Sequence, residues 1–254
     1  SKFYAPLPPL RTTHFALRIQ TTTFYPTFKG GVTVPFYNGT LFHIDQKEMM
    51  RYAGLSPRAK DFPQDAIENA KQEALALADP KGIWQILSYD PEQGILQGPS
   101  PLTLEGRAIR RHLSSSYTVA VLAVTVGDDI EKASAAHFKE GNYVQGLLLD
   151  AAATAATEQL ADQVDGLIQK EAAKSGQKTT WRFSPGYGDW PVTQQNDFCR
   201  LIETEKIGLT VTDHSMLFPR KSVTAIIGLS ACTQKPAPVK CRACGLVTCP
   251  FRNS

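Results

Sequence analysis

Apolar and polar positions alternate with period two near the start of the chain, in FALRIQTTTF (15–24), GVTVPFY (31–37) and TLFHI (40–44). This alternation predicts short strands, with Lys29-Gly30-Gly31 and Asn38-Gly39 as turns. The period then lengthens. Asp45 caps a helix with Glu48 three residues on, and that helix carries Met49, Met50 and Tyr52 to a stop at Gly54. A second helix runs from Pro63 to Ala78, with Ile67, Ala70, Ala74 and Leu77 at helical spacing. IWQILSYD (83–90) and GILQG (94–98) read as a strand pair about Asp90-Pro91, and GRAIRRHL (106–113) as a short helix. TVAVLAVTVG (118–127) is a β-branched apolar run ending in glycine, the pattern of a buried strand. Helical patterns follow over Asp128–Lys139 and Val144–Lys174, the longer with Leu149, Ala153, Ala156, Leu160, Val164 and Leu167 on one stripe. A helix over Gln194–Glu205 and strands at 208–212 and 222–229 complete the series.

Helices and strands interleave with hairpin-like spacings, and no Gly-rich strand-to-helix phosphate loop is present. The pattern predicts an α+β fold rather than a doubly wound one. Three regions are expected: a β-rich extension over 1–43, the α+β domain over 44–229, and a Cys-rich tail over 230–254.

Composition narrows the classes. The 254 residues are 42% hydrophobic and 20% charged with a net charge of +3, an ordinary globular balance. The Lys and Arg residues are scattered, which argues against nucleic acid. No apolar run approaches the roughly 20 residues that span a bilayer, and SKFYAPLPPLRTTHF lacks the apolar stretch of a signal peptide. No membrane association and a cytoplasmic location are the expectations. The five histidines, His14, His43, His112, His137 and His214, are dispersed and predict no histidine metal site. Arg110, Arg111 and His112 read as a solvated helix face, and Met49, Met50 and Tyr52 as core.

Candidate chemistry concentrates in Trp181–Pro191, WRFSPGYGDWP. Pro185-Gly186 and Gly188 make a turn whose N–H groups a ligand can approach closely. Arg182 offers a fixed fork of donors suited to a carboxylate, and Tyr187 and Trp190 offer flat faces for a heterocycle or a cation. The competing reading is a rigid turn with Arg182 paired to a surface acid. The long helix favours the ligand: Ala151, Ala155, Glu158 and Asp162 form a second stripe opposite the Leu149/Ala156/Leu160 face, small enough to admit a neighbour. A cation and aromatics facing a carboxylate suit a zwitterion with a positive centre, of which S-adenosylmethionine (SAM) is one.

Four motifs in order carry a more specific signal: IDQKEMMRYAGL (44–55), TVAVLAVTVGDDI (118–130), LLLDAAATAATEQLAD (147–162), and RFSPGYGDWP with TVTDHSMLFPRKSVTAIIGL (210–229). Together they resemble the reactivation domain of cobalamin-dependent methionine synthase, and more closely the stand-alone activation subunits of that family. The resemblance implies a twisted antiparallel sheet flanked by helices. It also implies SAM binding and reductive methylation of cob(II)alamin on a partner, methionine synthase or another corrinoid protein, with an electron from a flavodoxin- or ferredoxin-like donor. By that resemblance Arg182 takes the methionyl carboxylate, and the main chain of Phe183, Ser184, Pro185 and Gly186 contacts the amino-acid and adenosine parts. Tyr187 walls the pocket near the methyl, and Glu158 binds the amino group or balances the sulfonium. Lys221 and Ser222 read better as a turn before a buried strand, while Asp189 and Trp190 fit either role. The aromatic that fused reactivation domains place after their last strand has no counterpart here.

The tail CRACGLVTCP sets Cys241, Cys244 and Cys249 at a metal-binding spacing, with Cys232 upstream, or a residue from a partner, as the fourth ligand. A 4Fe–4S cluster, zinc and free reduced thiols are the three readings, the cluster favoured because an activator must deliver an electron. Two alternative functions follow: an iron–sulfur electron-transfer protein acting on a corrinoid protein, and a zinc-stapled module that binds one.

Overall fold

A computed structural model describes residues 36–55, 63–98 and 100–231. The expected strand over 15–24 and all four tail cysteines, Cys232, Cys241, Cys244 and Cys249, lie outside them. The elements in chain order are β1 (Phe36–Asn38), α1 (Gln46–Tyr52), α2 (Gln64–Leu77), β2 (Lys81–Asp90), β3 (Ile95–Leu96), β4 (Leu102–Thr103) and α3 (Arg107–His112). There follow β5 (Thr118–Thr125), α4 (Asp129–Lys139), α5 (Tyr143–Lys174), β6 (Gln177–Thr179), α6 (Gln195–Leu201), β7 (Thr210–Val211), β8 (Leu217–Phe218) and β9 (Ser222–Ala231).

One seven-stranded sheet organises these elements in the order β4-β3-β2-β5-β9-β6, with β1 also on β2 and every pairing antiparallel. The expected α+β class is what the chain adopts. β2, β5 and β9 are its long central strands, and alternate side chains of each go to opposite faces. Ala120, Leu122, Val124, Ala225, Ile227 and Leu229 point to a core shared with α1, α2, α4 and α5. Val119, Val121, Ala123 and Ile226 point to a second core with Ile109, Phe183, Trp190 and Phe198. The sheet is therefore a middle layer, with α5 across one face and the 181–209 region across the other.

The 148–161 part of helix α5 has no exposed residue, because α1, α2 and α4 pack on the sides the sheet leaves open. Ala151, Ala152, Ala153, Ala155 and Ala156 are all buried in that core. At Ala151 and Ala155 the small second stripe is buried in this core, so the neighbour it admits there is the protein's own packing. Methyl side chains suit this crowding, since they lose no rotamer entropy and let helices approach closely.

The structure differs from the pattern elsewhere for identifiable reasons. Residues 40–44 form no strand: their backbone groups are taken by helix side chains instead. Gln163 Nε2 donates to the Thr40 carbonyl at 3.4 Å and Gln159 Nε2 to that of His43 at 3.2 Å, while Asp45 N–H donates to Gln159 Oε1 at 3.0 Å. Asp45 also caps α1 as expected, accepting from Glu48 N–H at 3.0 Å. α6 stops at Leu201 rather than Glu205 because Glu203 turns left-handed, at φ 54°, and a short 3-10 turn follows. β6 was unreadable in a polar linker; it exists because Gln177–Thr179 completes the edge of β9.

Candidate functional site

The segment after β6 continues along the edge of β9 and then leaves it. Phe183 exchanges both backbone hydrogen bonds with Ile226, at 2.9 and 2.8 Å. An extended segment sends successive side chains to opposite faces. Trp181 and Phe183 therefore stack together, ring centroids 5.1 Å apart, on the second core. Arg182 between them points the other way, to α5.

There the guanidinium meets three acids one helical turn apart. Nη2 donates to Glu158 Oε2 at 3.0 Å and to Asp162 Oδ1 at 2.7 Å, and Nε lies 3.9 Å from Asp165 Oδ2. The Arg182 side chain is only 5% exposed, against 39% for Glu158 and 70% for Asp162. Nη1 is buried with no hydrogen-bond partner among the described residues. A buried donor without an acceptor costs about 1–3 kcal/mol, so this N–H group is a place where an added acceptor would gain. The same helix face carries Asp150 and Thr154 further toward its N-terminus. Both hold Lys221 Nζ, at 2.9 Å each. Four acids and two bases line this face, an excess of two negative charges.

Beyond Arg182 the loop closes on itself. Tyr187 N–H donates to the Ser184 carbonyl at 3.0 Å, Trp190 N–H to that of Tyr187 at 3.0 Å, and Gly186 N–H to that of Trp190 at 2.9 Å. Gly186 and Gly188 take φ of 91° and 58°, where a Cβ is strained. Pro185 is buried, Ser184 half-buried, and Gly186 to Asp189 are exposed. Tyr187 is 51% exposed at the tip, with its ring 5.9 Å from Phe183.

Two residues of ambiguous reading are structural. Trp190 is buried, edge-on to Phe198 at 5.7 Å, with Nε1 donating to Gln194 Oε1 at 2.7 Å. It offers no free face to a heterocycle. Asp189 accepts the N–H groups of Arg107 and Ala108 at 2.8 Å each and so fastens the loop to the start of α3. Those two bonds hold its carboxyl below the usual carboxylate range, the Ala108 bond first.

His112 is not part of a solvated face. It packs against Trp181 at 4.5 Å and Phe183 at 5.1 Å, and its Nε2 lies 2.9 Å from the Trp181 carbonyl. Burial pushes its pKa below the ordinary value, partly offset by that hydrogen bond. The ring is therefore a neutral prop beneath the loop.

Sequence reasoning named Arg182 and Glu158, and the fold brings them together. It passed over Asp165, which extends the acid series by one turn, although acids at 158, 162 and 165 recur at helical spacing. Tyr52 of α1, expected as core, is half-buried close enough to Glu158 for that carboxylate to help burial raise its pKa. A separate groove of about 380 Å³ lies between α6 and β7, lined by Cys199, Arg200, Glu203 and Lys206 among others. None of the loop residues or α5 acids lines it, and burial raises the Cys199 thiol pKa, away from nucleophilic use. Among the described residues no three His, Cys, Asp or Glu side chains are grouped to hold a metal ion, and no helix is long and apolar enough to cross a membrane.

No family model matches the chain, and no curated protein does. Its fold does have a solved counterpart. The crystal structure of the MetH reactivation domain bound to AdoHcy superposes with a TM-score of 0.57, covering 82% of each chain at 14% identity. The likeness is one of fold: an antiparallel sheet flanked by helices.

Proposed function

We propose that this chain binds SAM at the Arg182 loop and supports reductive methylation of a cobalamin held by a methyltransferase partner, methionine synthase in the first instance. The observation that carries the reading is the buried Arg182 guanidinium, with an orphan N–H group, set against Glu158 and Asp162. It occurs on the fold of a reactivation domain whose solved structure holds AdoHcy. An arginine fork beside carboxylates matches the two ends of an amino acid: the fork takes α-carboxylate, an acid takes ammonium or sulfonium.

The chain's contribution is binding and orientation. Arg182 holds the carboxylate of SAM, and Glu158 holds its ammonium group or offsets the sulfonium charge. Ser184, Pro185 and Gly186 present main chain to the ligand, with left-handed Gly186 allowing close approach. Tyr187, half-exposed at the loop tip, walls the reacting methyl. SAM would supply the methyl, its S–CH3 bond breaking to leave S-adenosylhomocysteine, and the partner's cobalamin would supply the acceptor cobalt once a flavodoxin- or ferredoxin-like donor has reduced it by one electron.

Calorimetric titration of SAM into the full chain, beside Arg182→Ala and Glu158→Ala, tests this. Micromolar binding that Arg182→Ala abolishes is the expected result. No binding, alone or with a cobalamin-loaded partner, overturns it.

The cysteine tail motivates a second proposal at the level of sequence alone: Cys241, Cys244, Cys249 and Cys232 hold a 4Fe–4S cluster or zinc. An absorbance spectrum and metal analysis of anaerobically purified protein decide it. A colourless, metal-free protein would remove both forms.

A further inference from the structure

Arg182 does not wait with an open fork. Its Nη2 group is already occupied by Asp162 at 2.7 Å and Glu158 at 3.0 Å. A ligand carboxylate seated across both Nη1 and Nη2 therefore has to displace a resident one. The three acids differ in how readily they leave. Asp165 is 15% exposed and 3.9 Å from Nε, too far for a hydrogen bond and off the Nη end. Glu158 is 39% exposed. Asp162 is 70% exposed, so a χ1 rotation returns its carboxylate to water at small desolvation cost.

The exchange is favourable for a second reason. A carboxylate laid across the Nη1–Nη2 end of the fork would satisfy Nη1 as well, and none of the α5 acids does that.

We propose that Asp162 is a built-in competitor for the ligand's carboxylate. It occupies the carboxylate's place on Arg182 in the free chain and yields that place when a zwitterion arrives. Asp162 then sets specificity: only a ligand bearing its own carboxylate can replace the lost partner of a buried guanidinium. An amine or sulfonium lacking a carboxylate leaves Asp162 where it is. The exchange also conserves charge at Arg182, so the buried cation is never left with fewer acids than it had. This rests on the SAM-binding reading of the same site.

The test is titration of two ligands, SAM and decarboxylated SAM, into the wild-type chain, Asp162→Asn and Glu158→Gln, with thermal melts to confirm folding. Removing the competitor makes Asp162→Asn bind SAM roughly three- to tenfold tighter, the scale of an exposed ion pair. Decarboxylated SAM binds that variant no better than it binds wild type. Glu158→Gln weakens SAM, since its acid serves the cationic end. An Asp162→Asn chain that melts like wild type yet binds SAM equally or more weakly overturns the competitor role and leaves the SAM reading intact. SAM binding to Asp162→Asn alone supports both. Binding to neither chain removes the SAM reading, and the competitor with it.

Discussion

Two cations, Arg182 and Lys221, reach the same face of α5, and they differ in how completely they are satisfied. Lys221 comes from the residue before β9 and finds Asp150 and Thr154, each at 2.9 Å. Its backbone N–H is also taken, by Glu131 at 2.7 Å. Arg182 is ringed by three acids, yet its Nη1 has no acceptor and its Nε lies 3.9 Å from Asp165, beyond hydrogen-bond reach. The first arrangement leaves no buried side-chain donor without a partner and works as a staple. The second sets exposed partners around a buried cation, the arrangement the proposed ligand exchange uses. Proximity of opposite charges is common to both; the unfinished accounting of donors and acceptors separates them.

Replacing each cation in turn should break the symmetry most sharply. Arg182→Ala is expected to weaken SAM by at least about a hundredfold, since it removes one partner of a charged hydrogen-bonded pair. Lys221→Ala is expected to leave SAM affinity within about threefold and to cost about 1 kcal/mol of stability, read in chemical denaturation. Comparable losses of binding in the two variants would erase the distinction. Gly188→Ala is a smaller perturbation at the Arg182 end. It forces a side chain to φ 58° with Ala108 Cβ 2.9 Å away, so about 1–2 kcal/mol of destabilisation and a modest loss of affinity follow.

The smallest expected effect is on pH dependence. His112 props the loop behind Arg182 and has a depressed pKa because burial opposes its charged form. Stability from this group is fully present above the unfolded value of about 6.5 and is lost as pH falls from there through the folded value. Melting temperatures measured from pH 7.5 to 5 should fall more steeply for wild type than for His112→Gln. Parallel curves would show that the imidazole is not the group responsible.

How much of this was visible beforehand varied with the source of the signal. The long helix, β5, β9 and the Asp45 cap were legible because their apolar periods or local capping residues are self-contained. β6 and β4 were not, since runs of two or three residues become strands only when a neighbouring edge is offered. Arg182 and Glu158 were assigned to one site by the loop's residues, the helix stripe and the motif resemblance. The physical basis of their pairing, an extended segment alternating Trp181, Arg182 and Phe183 across the edge of β9, needed the bridge to Ile226. Trp190 looked like a ligand platform because aromatic rings in a glycine loop serve either purpose; the presence of Gln194 and Phe198 beneath it decides for core. Asp162 appeared only as a member of a helix stripe, and its exchangeable character depends on exposure, which no spacing encodes.

The glutamines that hold residues 40–45 carry one more consequence. Gln159 and Gln163 each directly follow an acid that meets Arg182, and they grip the Thr40 and His43 carbonyls on a different side of α5. They act as index pins on an axle: rotation of α5 about its long axis would shear those amide contacts as well as its core packing. Together with the buried packing of α5 they hold the acids at one angular setting, and the proposed exchange at Arg182 then asks for the rotation of a single side chain.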